Sequence, residues 1–374
     1  MKKLKLMTIV GTRPEIIKLS AIIKKCDQYF EHILVHTGQN YDYELNQIFF
    51  EELGLRAPDY FLNVAGSQLG ETMGNVISRS YELFQKEMPD AILVLGDTNS
   101  CLCVISAKRL KIPIFHMEAG NRCFDENLPE EVNRRIVDVT SDINLCYSEH
   151  ARRNLSDAGF PKERTFVVGS PMAEVFLDAE ERIRESRVLE QLKLQKKKYI
   201  LLSAHREENI DREENLHELV NAVNALAERY QMPIIYSVHP RSRKKIAEKN
   251  IEFHPFVRQM QPFGFFDYNC LQKNAFCVVS DSGTIPEEAA YFGFPAVSIR
   301  TSTERPEAVD KGVFTIGGIS VESVLQAVEM AAAFDAADDH GTEVSDYSEK
   351  NVSTKVIKII QGYTQIVNKM VWRK

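Results

Sequence analysis

Two carboxylates directly follow short apolar runs of the sequence, and a third lies in the next polar stretch. They are Asp97, Glu118 and Glu130. Neighbouring carboxylates raise each other's pKa values, which separates a proton donor from a proton acceptor. Asp97 and Glu130 also have a structural alternative, because Asp caps helix N-termini and Glu suits the first turn of a helix. We interpret the three as a candidate acid–base site.

A second set of residues has the types that bind anions. Arg13 follows Gly11 at an expected helix N-terminus, where backbone N–H groups and a guanidinium together favour an anion. His205 and Arg206 follow another apolar run, and His239 has the same placement. A lone histidine is more often structural, but the pairing of His205 with Arg206 at a strand end favours an anion contact.

The most specific local motif is the run 280–289, SDSGTIPEEA, which we interpret as a strand, a small-residue turn and a helix start. The backbone N–H groups of Ser282, Gly283 and Thr284 can cradle a phosphate. One of the carboxylates that follow can accept both hydroxyls of a ribose, and Arg305 can clamp a pyrophosphate. The alternative is simply a well-capped helix.

Apolar, β-branched runs alternate with amphipathic stretches, which predicts parallel sheets with helices on both faces. We predict an N-terminal domain over 1–170, completed by a last helix over 350–374, and a C-terminal domain over 171–349. Predicted strands include 4–10, 32–37, 91–95, 113–117, 143–147, 165–168, 199–203, 233–238, 276–280 and 295–299. Predicted helices include 16–25, 70–85, 100–110, 130–140, 213–229, 241–249, 262–273 and 284–292.

These elements determine where the chemistry lies, because ligands bind beyond the carboxyl ends of parallel strands. The first domain brings carboxylates to a crevice, and the second brings a grip of the kind that holds a nucleotide. This pattern predicts a nucleotide-sugar enzyme.

Composition and charge narrow the classes of protein. The chain has 374 residues, 26% of them charged, and a net charge of −7, which argues against a nucleic-acid partner. The first apolar run is too short to span a membrane and lacks a cleavage site, so we expect a cytoplasmic protein. The seven cysteines form no CxxC pair, and we expect no metal. The absence of GxGxxG and Walker motifs argues against a nicotinamide cofactor.

Seven runs, in order from residue 11 to about 310, resemble the non-hydrolysing UDP-N-acetylglucosamine 2-epimerase family: GTRPEIIK, GDTNS, HMEAGNR, LPEEVNRR, SAHREEN, SDSGTIPEEA and TERPEAV. The resemblance implies two Rossmann-like domains in a glycosyltransferase-B arrangement, with the active site in the interdomain cleft. It also implies a homodimer, no cofactor and a UDP-linked 2-acetamido sugar as substrate.

The resemblance also assigns roles to individual residues. For the sugar side it implies two basic residues, Arg13 and Lys18, and three catalytic carboxylates, Asp97, Glu118 and Glu130. For the UDP side it implies a histidine at the diphosphate, a phosphate turn, a ribose-binding glutamate and a phosphate-side arginine, which are His205, Ser282 with Gly283, Glu288 and Arg305. Arg206, His239 and Thr284 complete the predicted binding set.

One branch of the family, the UDP-N-acetyl-L-fucosamine synthases, is similar to this chain in finer detail, in the runs GQNYDYELN, MEAGNRCFDENLPEEVNRR, SAHREENID and VHPRSRKKI. That branch converts UDP-2-acetamido-2,6-dideoxy-β-L-talose to UDP-N-acetyl-β-L-fucosamine for capsule or O-antigen synthesis, by elimination and re-addition of UDP. Thr284 replaces the second glycine of the family's phosphate turn. Gln39-Asn40-Tyr41 replaces the Gln-His-Arg of an allosteric site, which argues against regulation by a second substrate molecule.

Several other functions use similar motifs. They are a UDP-N-acetylglucosamine 2-epimerase that gives UDP-N-acetylmannosamine, a hydrolysing epimerase, a transferase of the same architecture, and a nucleotide-sugar sensor without turnover. Release of free UDP identifies the hydrolysing enzyme, a requirement for an acceptor identifies the transferase, and bound UDP without turnover identifies the sensor.

Overall fold

A computed structural model describes residues 3–39 and 43–374, with the backbone alone described at 43–47, 207, 240 and 241. The chain divides into two compact units. The first comprises Met1–Asp178 and Ser345–Lys374, and the second comprises Ala179–Val344. Each unit is built around its own parallel sheet with helices along the chain between the strands.

The first unit contains a seven-stranded parallel sheet in the order β3-β2-β1-β4-β5-β6-β7. Its strands are β1 (Lys5–Val10), β2 (Glu31–His36), β3 (Tyr60–Phe61), β4 (Ala91–Leu95), β5 (Ile114–Met117), β6 (Ile143–Cys146) and β7 (Thr165–Val167). Strands β4, β5 and β6 are buried along their whole length. Continuous burial of this kind is typical of parallel sheets, because helices cover both faces.

The described residues up to Glu185 contain seven helices. They are α1 (Arg13–Tyr29), α2 (Tyr43–Glu52), α3 (Leu69–Glu87), α4 (Val104–Arg109), α5 (Pro129–Thr140), α6 (Glu149–Asp157) and α7 (Met172–Glu185). A 3-10 turn, Asn99–Cys103, precedes α4. Helix α7 continues through the division between the units at Asp178.

The second unit contains a six-stranded parallel sheet in the order β10-β9-β8-β11-β12-β13. The strands are β8 (Ile200–Ser203), β9 (Ile234–Ser237), β10 (Val257–Met260), β11 (Cys277–Ser280), β12 (Ala296–Ser298) and β13 (Thr315–Ile316). The helices are α8 (Val188–Gln191), α9 (Glu207–Ile210), α10 (Glu213–Tyr230), α11 (Pro240–Glu248), α12 (Phe265–Asn274), α13 (Ile285–Phe292), α14 (Pro306–Asp310) and α15 (Val321–Ala336). The buried faces of α10 and α15 join the strands in one apolar core.

The last helix, α16 (Val352–Val367), belongs to the first unit, although it follows the whole second unit in sequence. It packs against α1, where Lys25 Nζ donates to Thr354 Oγ1 at 2.7 Å. The backbone N–H of Ser353 donates to Glu174 of α7 at 2.9 Å. The buried side of α16 carries Val356 and Ile360, which are fully buried, so this helix completes the core of the first unit.

The predicted helix 100–110 begins as the 3-10 turn Asn99–Cys103 and is α-helical only over Val104–Arg109. Helices α1 and α12 also begin away from the predicted positions, for identifiable reasons. Helix α1 begins at Arg13 rather than residue 16, because the side chain of Glu15 accepts the N–H groups of Gly11 and Thr12 and closes the first turn early. Helix α12 begins at Phe265 rather than residue 262, because Gly264 has extended backbone angles and forms the N-cap.

In both sheets the strand order reverses direction once, between β1 and β4 in the first unit and between β8 and β11 in the second. Such a reversal opens a crevice at the carboxyl ends of the two strands. The turns that follow β1, β4, β8 and β11 are therefore the expected positions for ligands. No helix in residues 3–39 and 43–374 is long and apolar enough to cross a lipid bilayer.

Candidate active site

The turn after β1 is closely packed around Gly11. A Cβ atom on this residue would lie 1.9 Å from Ser100 Oγ and 2.2 Å from Thr37 Oγ1, so no side chain fits there. Glu15 is buried behind the turn, where its Oε2 accepts the N–H of Gly11 at 2.8 Å and that of Thr12 at 2.7 Å. Burial raises the pKa of Glu15 to about 7 despite these hydrogen bonds.

Lys18 and Glu118 form an ion pair at the carboxyl edge of the first sheet. Lys18 Nζ lies 2.6 Å from Glu118 Oε2, and both side chains are largely buried. Glu118 has a φ of +64°, a left-handed conformation that is uncommon for a residue other than glycine. A Cβ built on Gly96 lies 4.0 Å from Glu118 Oε2, so the carboxylate also approaches the turn that carries Asp97.

Helix α5 holds Asp97 through Arg134, a residue that strand-end reasoning did not select. Arg134 Nε donates to Asp97 Oδ2 at 2.7 Å, and Arg134 Nη1 donates to Glu131 Oε2 at 2.9 Å. Glu131 is fully buried, whereas the neighbouring Glu130 is only partly buried in the first turn of α5. The two adjacent glutamates therefore have different positions, and Glu130 is the more accessible one.

A buried cluster of one histidine and one Arg–Asp ion pair lies between the turns that carry these carboxylates. Nδ1 of His116 lies 3.0 Å from Asp138 Oδ1, and Arg122 Nη2 lies 2.7 Å from Asp138 Oδ2. His116 Nε2 contacts the Gly96 carbonyl oxygen at 2.9 Å. Neither His116 nor Asp138 was a candidate from the sequence. A histidine within a strand and an aspartate within a helix do not indicate, from sequence alone, which residues they contact.

Arg13 is also at this edge of the first sheet, at the first position of α1. Its guanidinium carbon lies 5.8 Å from the centre of the Phe49 ring, and the residue is partly buried. The first unit thus places Arg13, Lys18, Asp97, Glu118 and Glu130 at the strand ends or at the helix starts that follow them.

In the second unit, Asp281 organises the turn after β8. Its Oδ2 accepts the backbone N–H groups of His205 and Arg206, both at 2.9 Å, and the side-chain amide of Asn209 at 3.1 Å. The imidazole of His205 lies 3.2 Å from Asp281 Oδ1 and stays partly exposed. Its ring centre is 6.1 Å from that of His239, so the two predicted histidines are neighbours. The role of Asp281 was not foreseen.

The small-residue turn after β11 connects to Glu288 through Thr284. Thr284 Oγ1 donates to Glu288 Oε1 at 2.7 Å and lies 3.0 Å from Ser282 Oγ. Gln272 Nε2 donates to the other oxygen of Glu288 at 2.5 Å, so this buried carboxylate is fixed from two sides. A Cβ on Gly283 would lie 3.3 Å from Arg206 Nη2, which places a guanidinium directly against the turn.

Arg305 is buried next to the same helix start. Its Nε donates to Glu287 Oε1 at 2.9 Å, and both side chains are almost fully buried. The two adjacent glutamates have different contacts, because Glu287 pairs with Arg305 while Glu288 contacts the turn. The guanidinium that lies against Gly283 is that of Arg206 and not that of Arg305.

Two further sequence predictions concern a metal and the run 39–41. Across the described part of the chain, His, Cys, Asp and Glu side chains form no group of three or more suited to a metal ion. Asn40 and Tyr41 of the run Gln39-Asn40-Tyr41 lie outside the described residues.

The two doubly wound sheets, with polar turns at the strand ends, define a protein of two Rossmann-like domains. A family model described as UDP-N-acetylglucosamine 2-epimerase matches residues 24–361. A solved structure of UDP-N-acetylglucosamine 2-epimerase from Rickettsia bellii is 47% identical, with a TM-score of 0.92 and full coverage of both chains. The Methanocaldococcus jannaschii UDP-GlcNAc 2-epimerase, solved with UDP-GlcNAc and UDP, is 32% identical, with a TM-score of 0.88, covering 96% of this chain and 100% of that one.

A third relative is named for a different sugar substrate. The UDP-2,3-diacetamido-2,3-dideoxy-D-glucuronate 2-epimerase of Pseudomonas aeruginosa is 33% identical over 90% of this chain and 94% of its own. The chain belongs to the UDP-N-acetylglucosamine 2-epimerase family. It is therefore an isomerase, an epimerase acting on carbohydrate derivatives. The predicted fold class, two Rossmann-like α/β domains of the glycosyltransferase-B type, is confirmed.

Proposed function

We propose that this chain converts UDP-2-acetamido-2,6-dideoxy-β-L-talose to UDP-N-acetyl-β-L-fucosamine by inverting C2. The UDP-sugar 2-epimerase activity follows from the family. The particular sugar rests on the similarity of the runs GQNYDYELN, SAHREENID and VHPRSRKKI to the L-fucosamine branch. We further propose a cytoplasmic homodimer that needs no cofactor and serves capsule or O-antigen synthesis.

The observation that supports acid–base chemistry most directly is the Lys18–Glu118 ion pair beside the turn of Asp97. A lysine 2.6 Å from the carboxylate compensates its charge in a largely buried position, which would otherwise be costly. Asp97, Glu118 and Glu130 then provide carboxyl groups for taking and returning a proton.

The nucleotide half of the substrate is assigned to the second unit. The turn of Ser282, Gly283 and Thr284 offers backbone N–H groups to a phosphate, with Arg206 next to it. Glu288, oriented by Thr284, accepts the ribose hydroxyls. His205 and His239 contribute to the diphosphate site, and Arg305 supports it through its pair with Glu287.

The reaction proceeds in two halves. The C2 hydrogen is not acidic by itself, since C2 bears only an amide nitrogen. Cleavage of the C1–O bond first creates positive charge at C1, while the electron pair leaves with UDP and is stabilised by the Arg13 guanidinium and by hydrogen bonding from His205. A carboxylate then removes the C2 proton, which gives a 2-acetamidoglycal. UDP adds back to C1, and a proton is delivered to C2 from the opposite face.

One alternative substrate has an observation in its favour. The Rickettsia bellii and Methanocaldococcus jannaschii relatives are named for UDP-N-acetylglucosamine, so conversion of that substrate to UDP-N-acetylmannosamine is the second candidate. The Pseudomonas aeruginosa relative, in contrast, is named for a modified sugar. The same residues serve either reaction, because both invert C2 of a UDP-linked 2-acetamido sugar.

The test is an NMR assay in deuterated water with the L-talo substrate and UDP-N-acetylglucosamine in parallel. We expect turnover of the L-talo substrate without an acceptor, deuterium at C2 of the product and no accumulation of free UDP. Preferred turnover of UDP-N-acetylglucosamine would replace the substrate assignment with the second candidate. Retention of the original C2 hydrogen would discard the elimination mechanism, and stoichiometric release of UDP would indicate a hydrolysing enzyme.

A further inference from the structure

The proposed reaction leaves the buried cluster of His116, Arg122 and Asp138 without a role. The side chains of His116 and Asp138 are 0% exposed, and that of Arg122 is 8% exposed. Ionic groups in such a place lower stability unless they compensate one another, and an apolar core would often be as stable. We therefore explain the cluster by the neighbouring turns that it fixes and not by a contribution to the stability of the fold.

One end of the cluster holds the turn of Asp97. His116 Nε2 lies 2.9 Å from the carbonyl oxygen of Gly96, the residue directly before Asp97. A carbonyl oxygen only accepts, so Nε2 carries the hydrogen. The N–H of Gly96 in turn donates to the Met117 carbonyl at 3.0 Å, so this turn is linked to β5 at two points.

The other end holds the turn of Glu118. Asp138 Oδ1 accepts the N–H of Gly120 at 3.2 Å, and Asp138 Oδ2 lies 2.7 Å from Arg122 Nη2. Gly120 has a φ of +80°, and a Cβ there would lie 2.3 Å from the Ala151 carbonyl oxygen. The backbone that follows Glu118 is thus fixed in a conformation and a place that only glycine permits.

His116 Nδ1 lies 3.0 Å from Asp138 Oδ1, so the packing of these two buried side chains brings the two ends together. We propose that His116 and Asp138 are positioning residues, which hold the turns of Asp97 and Glu118 at a fixed spacing for proton transfer at C2. This inference rests on the proposed function. Neither residue touches the substrate in this scheme, and their effect is exerted through the backbone of Gly96 and Gly120.

A positioning role predicts a specific kinetic pattern. Displacement of a catalytic group by about 1 Å can lower turnover by about 100-fold, while contacts that bind UDP stay intact. We therefore expect His116→Phe and Asp138→Asn to lower kcat by about 30- to 100-fold, with KM and the Kd for UDP within about threefold of wild type. His116→Gln retains an N–H donor near the position of Nε2 and should recover kcat to within about tenfold of wild type.

Asp142→Asn is the matched control. Asp142 is another buried carboxylate of the same sheet, at the opposite end of β5, where it accepts the N–H of Ile114 at 3.0 Å and pairs with Lys108 at 2.6 Å. We expect this variant to lose thermal stability, as the others do, but to keep kcat within about twofold of wild type, because it contacts neither turn.

The experiment measures kcat, KM, the Kd for UDP and Tm for wild type and the four variants. The inference is supported if His116→Phe and Asp138→Asn lose more kcat than Asp142→Asn does at similar Tm. It also requires that His116→Gln recovers part of the lost kcat. Wild-type kcat in the folded variants, or a kcat that merely follows Tm across all of them, overturns it. If His116→Phe does not fold, Asp138→Asn decides by the same criteria. Lack of turnover in wild type would overturn the proposed function, and the inference with it.

Discussion

Lys18 Nζ and Glu118 Oε2 are 2.6 Å apart, which joins helix α1 to the turn after β5 in a single ion pair. The pair sits beside the turn of Asp97 and next to the ring of Tyr147, 5.8 Å from Lys18 Nζ. A carboxylate held by a lysine in a largely buried turn has its charge compensated and its direction fixed. Both properties are what proton transfer to and from a sugar carbon requires.

Glu118→Gln should abolish most turnover without weakening UDP binding. The amide keeps the shape of the side chain but cannot take a proton, and general acid–base groups typically contribute about 100- to 10,000-fold. We expect kcat to fall by at least about 100-fold, with the Kd for UDP from calorimetry within about twofold of wild type. Glu149→Gln is the control, because Glu149 starts the helix after the next strand and is exposed. Wild-type turnover in Glu118→Gln would remove Glu118 from the chemistry.

A double-mutant cycle should show that Lys18 and Glu118 are coupled in stability. Lys18→Met removes the positive charge that lies 2.6 Å from a largely buried carboxylate, whereas the same change in a Glu118→Gln background removes no ion pair. We expect Lys18→Met to cost about 1–3 kcal/mol more in the wild-type background than in the Glu118→Gln background. The chain has one tryptophan, Trp372 in the first unit, so urea unfolding followed by its fluorescence reports on that unit. Equal costs in both backgrounds would mean that the pair is not coupled.

Thr284→Val should weaken nucleotide binding while leaving the chemical step intact. The change removes the hydroxyl that donates to Glu288 Oε1 at 2.7 Å, and a net hydrogen bond of this kind is worth about 1 kcal/mol, or about fivefold in Kd. We expect the Kd for UDP to rise by about fivefold, with kcat within about twofold of wild type. Ser323→Ala, which removes an exposed hydroxyl of the same unit, should change neither value. An unchanged Kd in Thr284→Val would argue against ribose binding by Glu288.

Glu15→Gln should change how the stability of the first unit depends on pH. The folded state raises the pKa of Glu15 from 4.5 to about 7, so between these values the folded protein binds a proton that the unfolded chain has lost. This contribution is complete below pH 4.5 and disappears as pH rises through 7. We expect the variant to gain about 3 kcal/mol relative to wild type between about pH 4.5 and pH 7. Tryptophan fluorescence during urea unfolding at several pH values measures the difference, and a constant difference would contradict the prediction.

The strands of both sheets were predictable where they form continuous buried runs. Ala91–Leu95 is recovered without error, because five consecutive buried apolar residues admit few other structures. The edge strands β3 and β13 have only two residues each, and β10 (Val257–Met260) is polar and partly exposed, so none shows a pattern. The domain boundary at 170 and the individual site residues stay predictions.

The expectation that ligands bind beyond the carboxyl ends of parallel strands selected candidate residues, but it did not identify the residues that contact them. It selected Asp97 and Glu118 from their positions alone, yet the Lys18–Glu118 pair spans 100 residues of sequence and exists only in the folded unit. The same holds for Asp138, which looks like an ordinary polar residue of α5 until its contacts with Gly120 and Arg122 are seen. Buried ion pairs depend on tertiary packing, and the composition and spacing of a local stretch of sequence do not predict which distant residues will pack together.

The order of elements along the chain has a consequence for biosynthesis. Helix α16 is translated after the entire second unit, yet its apolar side covers α1 of the first. During synthesis the second unit, a continuous segment, can fold as soon as it leaves the ribosome. The first emerges earlier but keeps part of its core uncovered until the last helix arrives. A chain truncated before Ser345 should therefore expose α1 to chaperones while its second unit is already folded.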